Sequence, residues 1–485
     1  MYSFLISLVA LVLGYVLYGK FVERIFGPDP ARPTPAVTKA DGVDFIVLPS
    51  WRVFMIQFLN IAGTGPIFGA IMGAKFGPAA YFWIVFGCIF AGAVHDYMSG
   101  MLSVRHGGIG LPELVGKYLG KTTKTVMLVF SVLLLLLVGA VFVYSPALIL
   151  GDIAGNGSRA AIMIWVGVIF VYYIIATLLP IDKLIGKIYP LFAFALLFMA
   201  VALMVCLFVK WPALPEIWDG LGNRTGAATP IFPCLFITIA CGAISGFHGT
   251  QSPLMARCMA NEKLGRPIFY GSMITEGIVA LVWATIGSWF FFGGGAAAVG
   301  SDVTAAAPAV VTKVSESWLG LFGGILALLG VVAAPITSGD TALRSSRLII
   351  ADFLKFDQRP MKNRLAIAIP MFAVTAVLLW FNVSQPSGFD ILWRYFGWAN
   401  QTLAVFTLWT VTVYLATTKK GLAYLVTFLP ACFMTAVTVT YICIAKIGFN
   451  LPPTWNFWIG GATFLLSMTL FFIWLNRKNS KCHEE

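Results

Sequence analysis

The sequence predicts an all-helical membrane protein with many spans, and three observations support this fold class. Of the 485 residues, 59% are hydrophobic and 11% are charged, and the mean hydropathy is +0.89. Soluble domains carry about a quarter charged residues, so this composition excludes an ordinary soluble protein. Apolar segments recur along the whole chain at about the twenty-residue length that a helix needs to cross a bilayer. The polar connections between them are too short to form a separate domain.

We predict thirteen transmembrane helices. The first lacks the basic start and the cleavage pattern of a signal peptide, so we expect it to be retained as a helix. The longest polar connection, residues 20–50, is rich in proline and is predicted to be a loop. The predicted spans are residues 2–19, 52–76, 78–103, 124–149, 160–180, 189–209, 230–252, 266–292, 318–338, 364–382, 391–416, 421–446 and 455–475.

The positive charges predict an orientation in the membrane. Alternate connections, beginning with residues 20–52 and ending with the tail after 475, hold all but seven of the 32 lysines and arginines. Cytoplasmic loops carry the excess of basic residues, so the N-terminus is predicted outside and the C-terminus in the cytoplasm. The net charge of +12 is therefore a topology signal and not a nucleic-acid patch. The seven exceptions are Lys75, Arg159, Lys210, Arg224, Lys313, Arg394 and Lys446.

Two of the predicted spans are interrupted by residues that destabilise a helix. Residues 60–66 read Asn-Ile-Ala-Gly-Thr-Gly-Pro, and a second interruption runs over residues 242–253. Backbone that leaves the helix at membrane depth has to line a cavity or be buried in protein, because lipid offers no hydrogen bonds. Broken helices at matching positions in two halves indicate the substrate site of a transporter.

The positions of the breaks predict a leucine-transporter-like inverted repeat of five plus five helices. Residues 52–209 form the first repeat and residues 230–416 form the second. Because each repeat has an odd number of spans, the second repeat has the opposite orientation in the membrane to the first. Residues 1–51 add an N-terminal helix and a cytoplasmic loop. Residues 417–485 add two peripheral helices and a cytoplasmic tail.

The first break is predicted to bind an anionic group of the substrate. Pro66 suits the first turn of a new half-helix, where its missing N–H has no cost. Backbone N–H groups around Gly63, Thr64 and Gly65 would then face a cavity at a positive helix end, which favours a carboxylate. The alternative is that these small residues permit close packing of helices.

The second break offers more polar side chains to a substrate. Several donors and acceptors within one unwound turn need partners, and a polar ligand or water supplies them. His248 has the chemistry to hydrogen-bond a carboxylate or to take a proton near neutral pH. The alternative is a neutral histidine bonded to carbonyls of its own break. The candidate residues are Ser245, His248, Thr250 and Gln251, followed by Ser252 and Pro253.

Two carboxylates inside spans are candidates for ion coupling. Asp96 and Glu276 each lie on the span that follows a broken one, so they are equivalent in the repeat, and intramembrane carboxylates often serve proton relays. The alternative for Asp96 is a pair with Arg105 or another neighbour. His95 and Asp96 are adjacent, and we expect their side chains to point in different directions on a helix, so they do not form a metal site by themselves.

The end of the predicted ninth span offers hard oxygen ligands. Thr337, Ser338 and Asp340 are suited to an alkali cation or to proton transfer. The alternative is a helix exit at the cytoplasmic face, with Asp340 and Arg344 paired one turn apart. Coupling is therefore expected to use either protons, through Asp96 or Glu276, or sodium, through Thr337, Ser338 and carbonyls of the first break.

The eight cysteines are scattered and none forms a CxxC pair, so the sequence predicts neither a disulfide framework nor a metal site. A metal-dependent intramembrane enzyme built on His95, Asp96 and His248 is a rival interpretation. No HExxH or comparable ligand spacing supports it, and we predict that the protein is not an enzyme. A nutrient sensor that binds without transport is a third interpretation, which the lack of a signalling domain disfavours.

Five motifs carry a resemblance to the carbon starvation protein A family of bacterial inner-membrane transporters. The family is described as peptide transporters used in carbon starvation, and members are linked to pyruvate uptake with protons. Its place in the amino acid–polyamine–organocation superfamily implies a leucine-transporter-like fold. The motifs are residues 61–69, IAGTGPIFG; 91–97, AGAVHDY; 245–248, SGFH; 338–344, SGDTALR; and 396–401, FGWANQ.

Together these observations predict a secondary transporter of the bacterial inner membrane that responds to carbon starvation. We expect it to import a small carboxylate-bearing nutrient, namely a short peptide, an amino acid or pyruvate, by ion-coupled alternating access. The expected partners are this substrate, a sodium ion or a proton, and the lipid bilayer. No cofactor, metal or nucleic acid is expected, and the sequence contains no signal for an oligomeric state.

Overall fold

A computed structural model shows a protein built from helices. It describes residues 1–42, 44–155, 157–178, 181–358, 360–385, 388–419 and 421–484, and all of their regular secondary structure is helical. Short helices at Pro35–Thr38, Leu111–Leu119 and Gly295–Ala298 lie in the connections. The prediction of an all-helical fold is confirmed.

Fifteen longer helices and half-helices, numbered in chain order, form the body of the protein. They are α1 Tyr2–Phe26, α2 Ser50–Ile61, α3 Gly65–Ala74, α4 Ala79–Arg105, α5 Lys121–Gly155, α6 Arg159–Leu178, α7 Ile181–Lys210, α8 Ile231–Thr238, α9 Gly246–Ala256, α10 Glu262–Phe292, α11 Ala307–Leu354, α12 Met361–Ser384, α13 Gly388–Thr418, α14 Leu425–Ile444 and α15 Asn456–Glu484.

The number of membrane spans differs in part from the prediction of thirteen. Ten helices in the described part of the chain are long and apolar enough to cross a bilayer, and the bent pair α2–α3 makes eleven. The other two predicted spans, residues 230–252 and 391–416, fall on α8–α9 and on α13. Both are helical, but α8 and α9 are short halves of 8 and 11 residues, and α13 contains the polar pair Asn400 and Gln401.

Helix α11 extends well beyond the predicted ninth span. It continues to Leu354, so residues 338–344 lie inside a helix. The expectation of a helix exit at these residues is therefore wrong. The reason is that apolar residues such as Leu343 and Leu348 resume at helical spacing after the polar stretch and are covered by protein. The helical course of α11 is interrupted instead at Gly320, which has a positive φ of 67°.

The first break has the form that the sequence predicts. Helix α2 ends at Ile61, and α3 begins at Gly65 with Pro66 as its second residue, at an angle of 56° to α2. The N–H of Gly63 turns back to the carbonyl of Ile61 at 2.9 Å, which closes the end of α2. A proline at this position costs no hydrogen bond because the first turn of a helix has no partner for its N–H groups.

The second break is shorter than predicted and lies earlier in the chain. Helix α8 ends at Thr238 and α9 begins at Gly246, so residues 239–245 form the break. His248, Thr250 and Gln251 are therefore helical, and the expectation that they lie in an unwound turn is wrong. The chain reverses at Gly242, whose φ of 89° favours glycine, and this turn leaves Pro253 inside α9.

The broken helices occupy the centre of the bundle. Helix α3 packs on α10, and α9 packs on α4. Helix α11 packs on both α5 and α7, and α7 and α11 also contact α2. Helices α1, α6 and α15 lie outside and expose apolar side chains such as Leu17, Ile164 and Trp458, which suits contact with lipid. The division into repeats at residues 52–209 and 230–416, with peripheral parts at 1–51 and 417–485, stays a prediction.

Candidate functional site

The two broken helices meet each other at their breaks. A side chain added at Gly65 would collide with Cys241, and one added at Gly242 would collide with Ala280 and lie 3.8 Å from Pro66. The break glycines therefore satisfy a packing requirement, as the small-residue alternative proposed. The role of Gly63, Thr64 and Gly65 as backbone donors to a substrate stays a prediction.

A chain of four titratable side chains lies beside this junction. Nδ1 of His95 is 2.7 Å from Oδ1 of Asp96, and Nδ1 of His248 is 2.8 Å from Oδ2 of the same carboxylate. Nε2 of His248 is 3.6 Å from Oε2 of Glu276. All four residues are fully buried. The structure thus gathers the two intramembrane carboxylates and the histidine of the second break, which the sequence placed on three different spans.

Three helices position these groups. Helix α4 supplies His95 and Asp96 directly after the π-helical segment Trp83–Gly92, α9 supplies His248, and α10 supplies Glu276. The expectation that His95 and Asp96 diverge is wrong, because Nδ1 of an imidazole lies close to its own backbone and reaches sideways to the next residue. The alternative pair of Asp96 with Arg105 is also wrong, since Arg105 contacts Glu262 at 3.2 Å.

The arrangement suits proton transfer. An imidazole that donates through Nδ1 to one carboxylate presents Nε2 to a second acceptor, and this is the geometry of a proton carrier. Beyond the 3.6 Å contact, neither oxygen of Glu276 has a hydrogen-bond partner among the described residues, and neither has Nε2 of His95. Buried polar atoms of this kind need a proton, water or ligand in some state of a working cycle.

Another set of atoms in the same place has the types that bind metals. Sγ of Cys241, a nitrogen of His248 and an oxygen of Glu276 lie within 4.8 Å of one another. His95 and His248, which the rival enzyme interpretation groups with Asp96, both direct Nδ1 to that carboxylate. The sulfur of Cys241 is already near the hydroxyl of Ser245, at 3.6 Å. We therefore interpret the cluster as a hydrogen-bonded network.

A polar face on α2 leads into the first break, and the sequence interpretation did not single it out. Gln57 and Asn60 of α2 are fully buried, as is Thr64 of the break itself, which the sequence interpretation did name. The side-chain polar atoms of all three have no partner within the described residues. Three buried side chains that lack partners on one face indicate a ligand or water. The signal available in the sequence was the recurrence of polar residues every three or four positions ahead of the break.

The predicted residues of the second break differ in their partners. The hydroxyl of Thr250 donates to the carbonyl of Phe247 at 2.7 Å, and Ser252 bonds its own helix in the same way. The amide nitrogen of Gln251 donates to the Thr250 hydroxyl at 2.9 Å, while its oxygen has no partner in the described part of the chain. Gln251 thus keeps one acceptor for a substrate.

Helix α13 holds the second break together. The oxygen of Asn400 accepts from the backbone N–H of Phe247 at 2.7 Å, and the nitrogen of Asn400 donates to Ser245 at 3.0 Å. The nitrogen of Gln401 donates to the carbonyl of Phe236 at 2.9 Å. Asn400 and Gln401 therefore satisfy backbone groups that the break frees, which explains the motif at residues 396–401. Ser245, a predicted substrate contact, is bonded within this arrangement.

The predicted sodium ligands lie on α11 next to the first break. The hydroxyl of Ser338 donates to the carbonyl of Leu59 at 3.1 Å, and Thr337 donates to Ala333 of its own helix at 2.9 Å. The structure therefore brings Ser338 to a carbonyl in the last turn of α2, next to the first break, and a role as a sodium ligand stays a prediction. No cation is needed to account for these two contacts.

Asp340 belongs to a separate polar group. One oxygen of its carboxylate accepts from the hydroxyl of Tyr189 at 2.6 Å, and Arg344 donates to the carbonyl of Ala176 at 2.5 Å. Both residues are buried inside α11. Asp340 is thus bonded to Tyr189, outside the histidine cluster.

Sequence comparison assigns the chain to a protein family. The profile described as carbon starvation protein CstA matches residues 1–164, 155–321 and 314–441. The chain belongs to the CstA family. The resemblance found in the motifs is confirmed.

Relatives of this chain include a membrane protein and two proteins that are named as transporters. A membrane protein of Haemophilus influenzae is 47% identical over 59% of this chain and 91% of its own length. The peptide transporter CstA of Escherichia coli is 27% identical over 90% of this chain and 81% of its own length. The pyruvate/proton symporter BtsT of the same bacterium is 28% identical over 56% of this chain and 46% of its own length. This member of the CstA family is a multi-pass protein of the bacterial inner membrane.

Comparison of folds agrees with the predicted class. The crystal structure of the Eremococcus coleocola manganese transporter, in complex with an aromatic bis-isothiourea substituted compound, matches this CstA-family structure with a TM-score of 0.57. The match covers 90% of this chain and 98% of that transporter at 10% sequence identity. At this identity the likeness shows a shared leucine-transporter-like fold and nothing about the transported ion.

Proposed function

We propose that this protein is a proton-coupled secondary transporter that imports a small carboxylate-bearing nutrient by alternating access. The class of substrate is a short peptide, an amino acid or pyruvate. The observation that carries the proposal is the fully buried His248, whose imidazole lies between the carboxylates of Asp96 and Glu276 beside the junction of the two breaks. The names of the relatives, peptide transporter and pyruvate/proton symporter, support the same class.

In this proposal the proton binds to the network of Asp96, His248 and Glu276, and the substrate binds next to it at the breaks. The backbone around Gly63, Thr64 and Gly65 supplies donors for the carboxylate. Gln251, Asn60 and Gln57 supply the polar atoms that have no partner in the described part of this conformation. Because His248 lies on α9, a change in its protonation acts directly on a half-helix that alternating access would move.

Sodium coupling is the alternative within the same function. It would use Ser338 and the carbonyl of Leu59, which lie 3.1 Å apart, together with Thr337. Asp340 would take part through its second oxygen, which has no hydrogen-bond partner among the described residues. We favour protons because Nε2 of His248, Nε2 of His95 and both oxygens of Glu276 lack a hydrogen-bond partner among the described residues.

Three further parts of the proposal concern context. The N-terminus lies outside and the C-terminus in the cytoplasm, as the distribution of lysine and arginine indicates. Expression of the gene rises when the carbon supply is exhausted. The protein performs no enzymatic reaction, in keeping with relatives named as transporters.

The test is uptake into proteoliposomes of labelled pyruvate, a mixture of amino acids and a dipeptide, under a proton gradient and then under a sodium gradient. A gradient of one pH unit corresponds to about 1.4 kcal/mol, so one coupled proton sustains about tenfold accumulation. We expect accumulation of one substrate under the proton gradient alone. Binding without accumulation would favour a sensor, and a stoichiometric bound metal in the purified protein would favour the metal-dependent alternative.

A further inference from the structure

A cavity of about 630 Å³ opens on the face of the protein that is predicted to lie outside the cell. Helices α3, α8, α13 and α14 form its walls, and the connections at residues 225–229 and 450–453 form its rim. The volume falls in the range of about 300–1,000 Å³ that small-molecule sites occupy. The rim residues Thr229 and Asn450 are exposed, so the mouth of the cavity meets water.

Three basic residues line the cavity, and none of its lining residues in the described part of the chain is acidic. Lys75, Arg394 and Lys446 contribute to the wall, and no aspartate or glutamate of the described chain does so. Lys75 also lies 4.7 Å from the ring of Phe291. Arg394 and Lys446 are exposed and form no ion pair with the acidic residues that the structure describes. The cavity therefore has a positive potential that is open to solvent.

This concentration of charge is unusual for its face of the protein. Of the 32 lysines and arginines, only seven lie away from the connections that are predicted to be cytoplasmic, and three of these seven line this one cavity. Basic residues are disfavoured on the outer face of a membrane protein, so membrane topology does not explain why Lys75, Arg394 and Lys446 line the same cavity.

The floor of the cavity is formed by the two broken helices. Met72 comes from α3, and Ile237 and Thr238 come from the last turn of α8, directly before the second break. The ring of Trp393 lies 6.2 Å from that of Phe68, between the cavity and the first break. The cavity thus borders residues of both broken helices, and the ring of Trp393 connects its wall to Phe68 of α3.

We propose that this cavity is a capture site for the carboxylate of the substrate before it reaches the breaks. Arg394 and Lys446 attract the anion by charge, and Lys75 extends the positive wall toward α3. This inference rests on the proposed function for the identity of the ligand. The site selects substrates with a net negative charge over zwitterions, because none of the described lining residues offers an acidic side chain to a substrate amine. Phospholipid headgroups share the anionic chemistry, but the rim of the cavity includes the exposed polar residues Thr229 and Asn450.

The first experiment is direct binding of pyruvate to the purified protein by calorimetry at low salt. We expect the double variant R394Q/K446Q to raise the dissociation constant about tenfold, since each exposed charge contributes modestly. The variant R394K/K446R should bind like the wild type. The matched control K210Q/K313Q removes two basic residues from the same face without touching the cavity. Rising salt should weaken wild-type binding and leave R394Q/K446Q nearly unchanged.

Equal binding of pyruvate by the wild type and R394Q/K446Q would overturn the capture site. The absence of any binding of pyruvate or succinate to the wild type, at about tenfold molar excess over millimolar protein, would also overturn it. Repeating the titration in nanodiscs with anionic and then zwitterionic lipid separates the two sources of anion. If pyruvate binds only in zwitterionic discs, the headgroup competes for the cavity, and lipid is its resident ligand.

Uptake by intact cells separates this inference from the proposed function. If both are correct, R394Q/K446Q raises KM for external pyruvate about tenfold, with kcat unchanged, because an outer capture site contributes uniform binding. If the wild type binds pyruvate but does not take it up, the capture site is supported and transport is refuted. If R394Q/K446Q and the wild type take up pyruvate with the same KM, transport is supported and the capture site is refuted.

Discussion

Nδ1 of His248 lies 2.8 Å from Oδ2 of Asp96, and this contact joins the half-helix α9 to the neighbouring helix α4. A carboxylate in this position fixes the orientation of the imidazole and directs Nε2 toward Glu276. The same histidine therefore links the second break to both intramembrane carboxylates. This relationship is the basis of the first two predictions.

Replacing Asp96 by asparagine is expected to uncouple transport. D96N should lose accumulation of substrate under a proton gradient of one pH unit, where the wild type reaches about tenfold. Exchange of substrate between the two sides should continue, because it needs no net movement of protons. E113Q is the control, since Glu113 pairs with Lys124 at the surface. If D96N accumulates substrate like the wild type, Asp96 has no role in coupling.

The pH profile of uptake should depend on His248. We expect wild-type uptake to rise as the outside pH falls from 8 to 6, and H248Q to flatten this rise. H106Q should keep the wild-type profile. Burial lowers the pKa of His106 from its ordinary value, so this residue stays neutral over most of that range. A profile that changes in H106Q and not in H248Q would contradict the proposed proton site.

The side chain of Asn400 is expected to stabilise the second break. Removing it in N400A leaves the N–H of Phe247 and the hydroxyl of Ser245 without this partner, at a cost of about 1–3 kcal/mol. The melting temperature of the detergent-purified protein should fall accordingly. T407A is the control, because the hydroxyl of Thr407 bonds its own helix on the same α13. Equal melting temperatures for N400A and T407A would refute this role.

The turn at Gly242 is expected to tolerate no side chain. Its φ of 89° disfavours other residues, and a Cβ there would collide with Ala280. G242A should therefore lose at least about 1–3 kcal/mol of stability. G167A is the matched control, because Gly167 lies in the α-helix α6 with nothing within 4 Å of the added atom. Thermal unfolding of the two variants in the same detergent measures the difference.

Asn60 is expected to contact the substrate. Its buried amide has no partner within the described residues, so N60A should raise KM for uptake about tenfold while the protein stays folded. N382A provides the comparison, since Asn382 is also buried and without a described partner but lies on α12. A KM that rises equally in both variants would indicate a general loss of packing.

Much of the fold follows from local sequence features. Apolar length predicts eleven of the spans, and Pro66 after Gly63 and Gly65 predicts where α2 ends and α3 begins. These features depend on hydrogen bonds and solvation within a few residues, so they can be read without the rest of the chain.

The extent of the second break could not be read in the same way. The polar residues from His248 to Ser252 resemble an unwound segment, yet they are helical. The reason lies 153 residues away in the sequence, where the side-chain oxygen of Asn400 accepts a hydrogen bond from the N–H of Phe247. This bond satisfies the first turn of α9 and so favours a helix that begins at Gly246. The path of α11 past Ser338 has a similar cause, since neighbouring helices bury its polar residues.

The sequence by itself determined the membrane class, the family, the two breaks and the two carboxylates within the spans, because composition and short motifs specify these. The tertiary structure alone decided that His248 lies between Asp96 and Glu276 and that three scattered basic residues line one cavity. It also decided that Asn60 and Gln57 are buried near the first break without a partner among the described residues. These relationships depend on how helices cross, and crossing is set by side chains that meet only after the chain has folded.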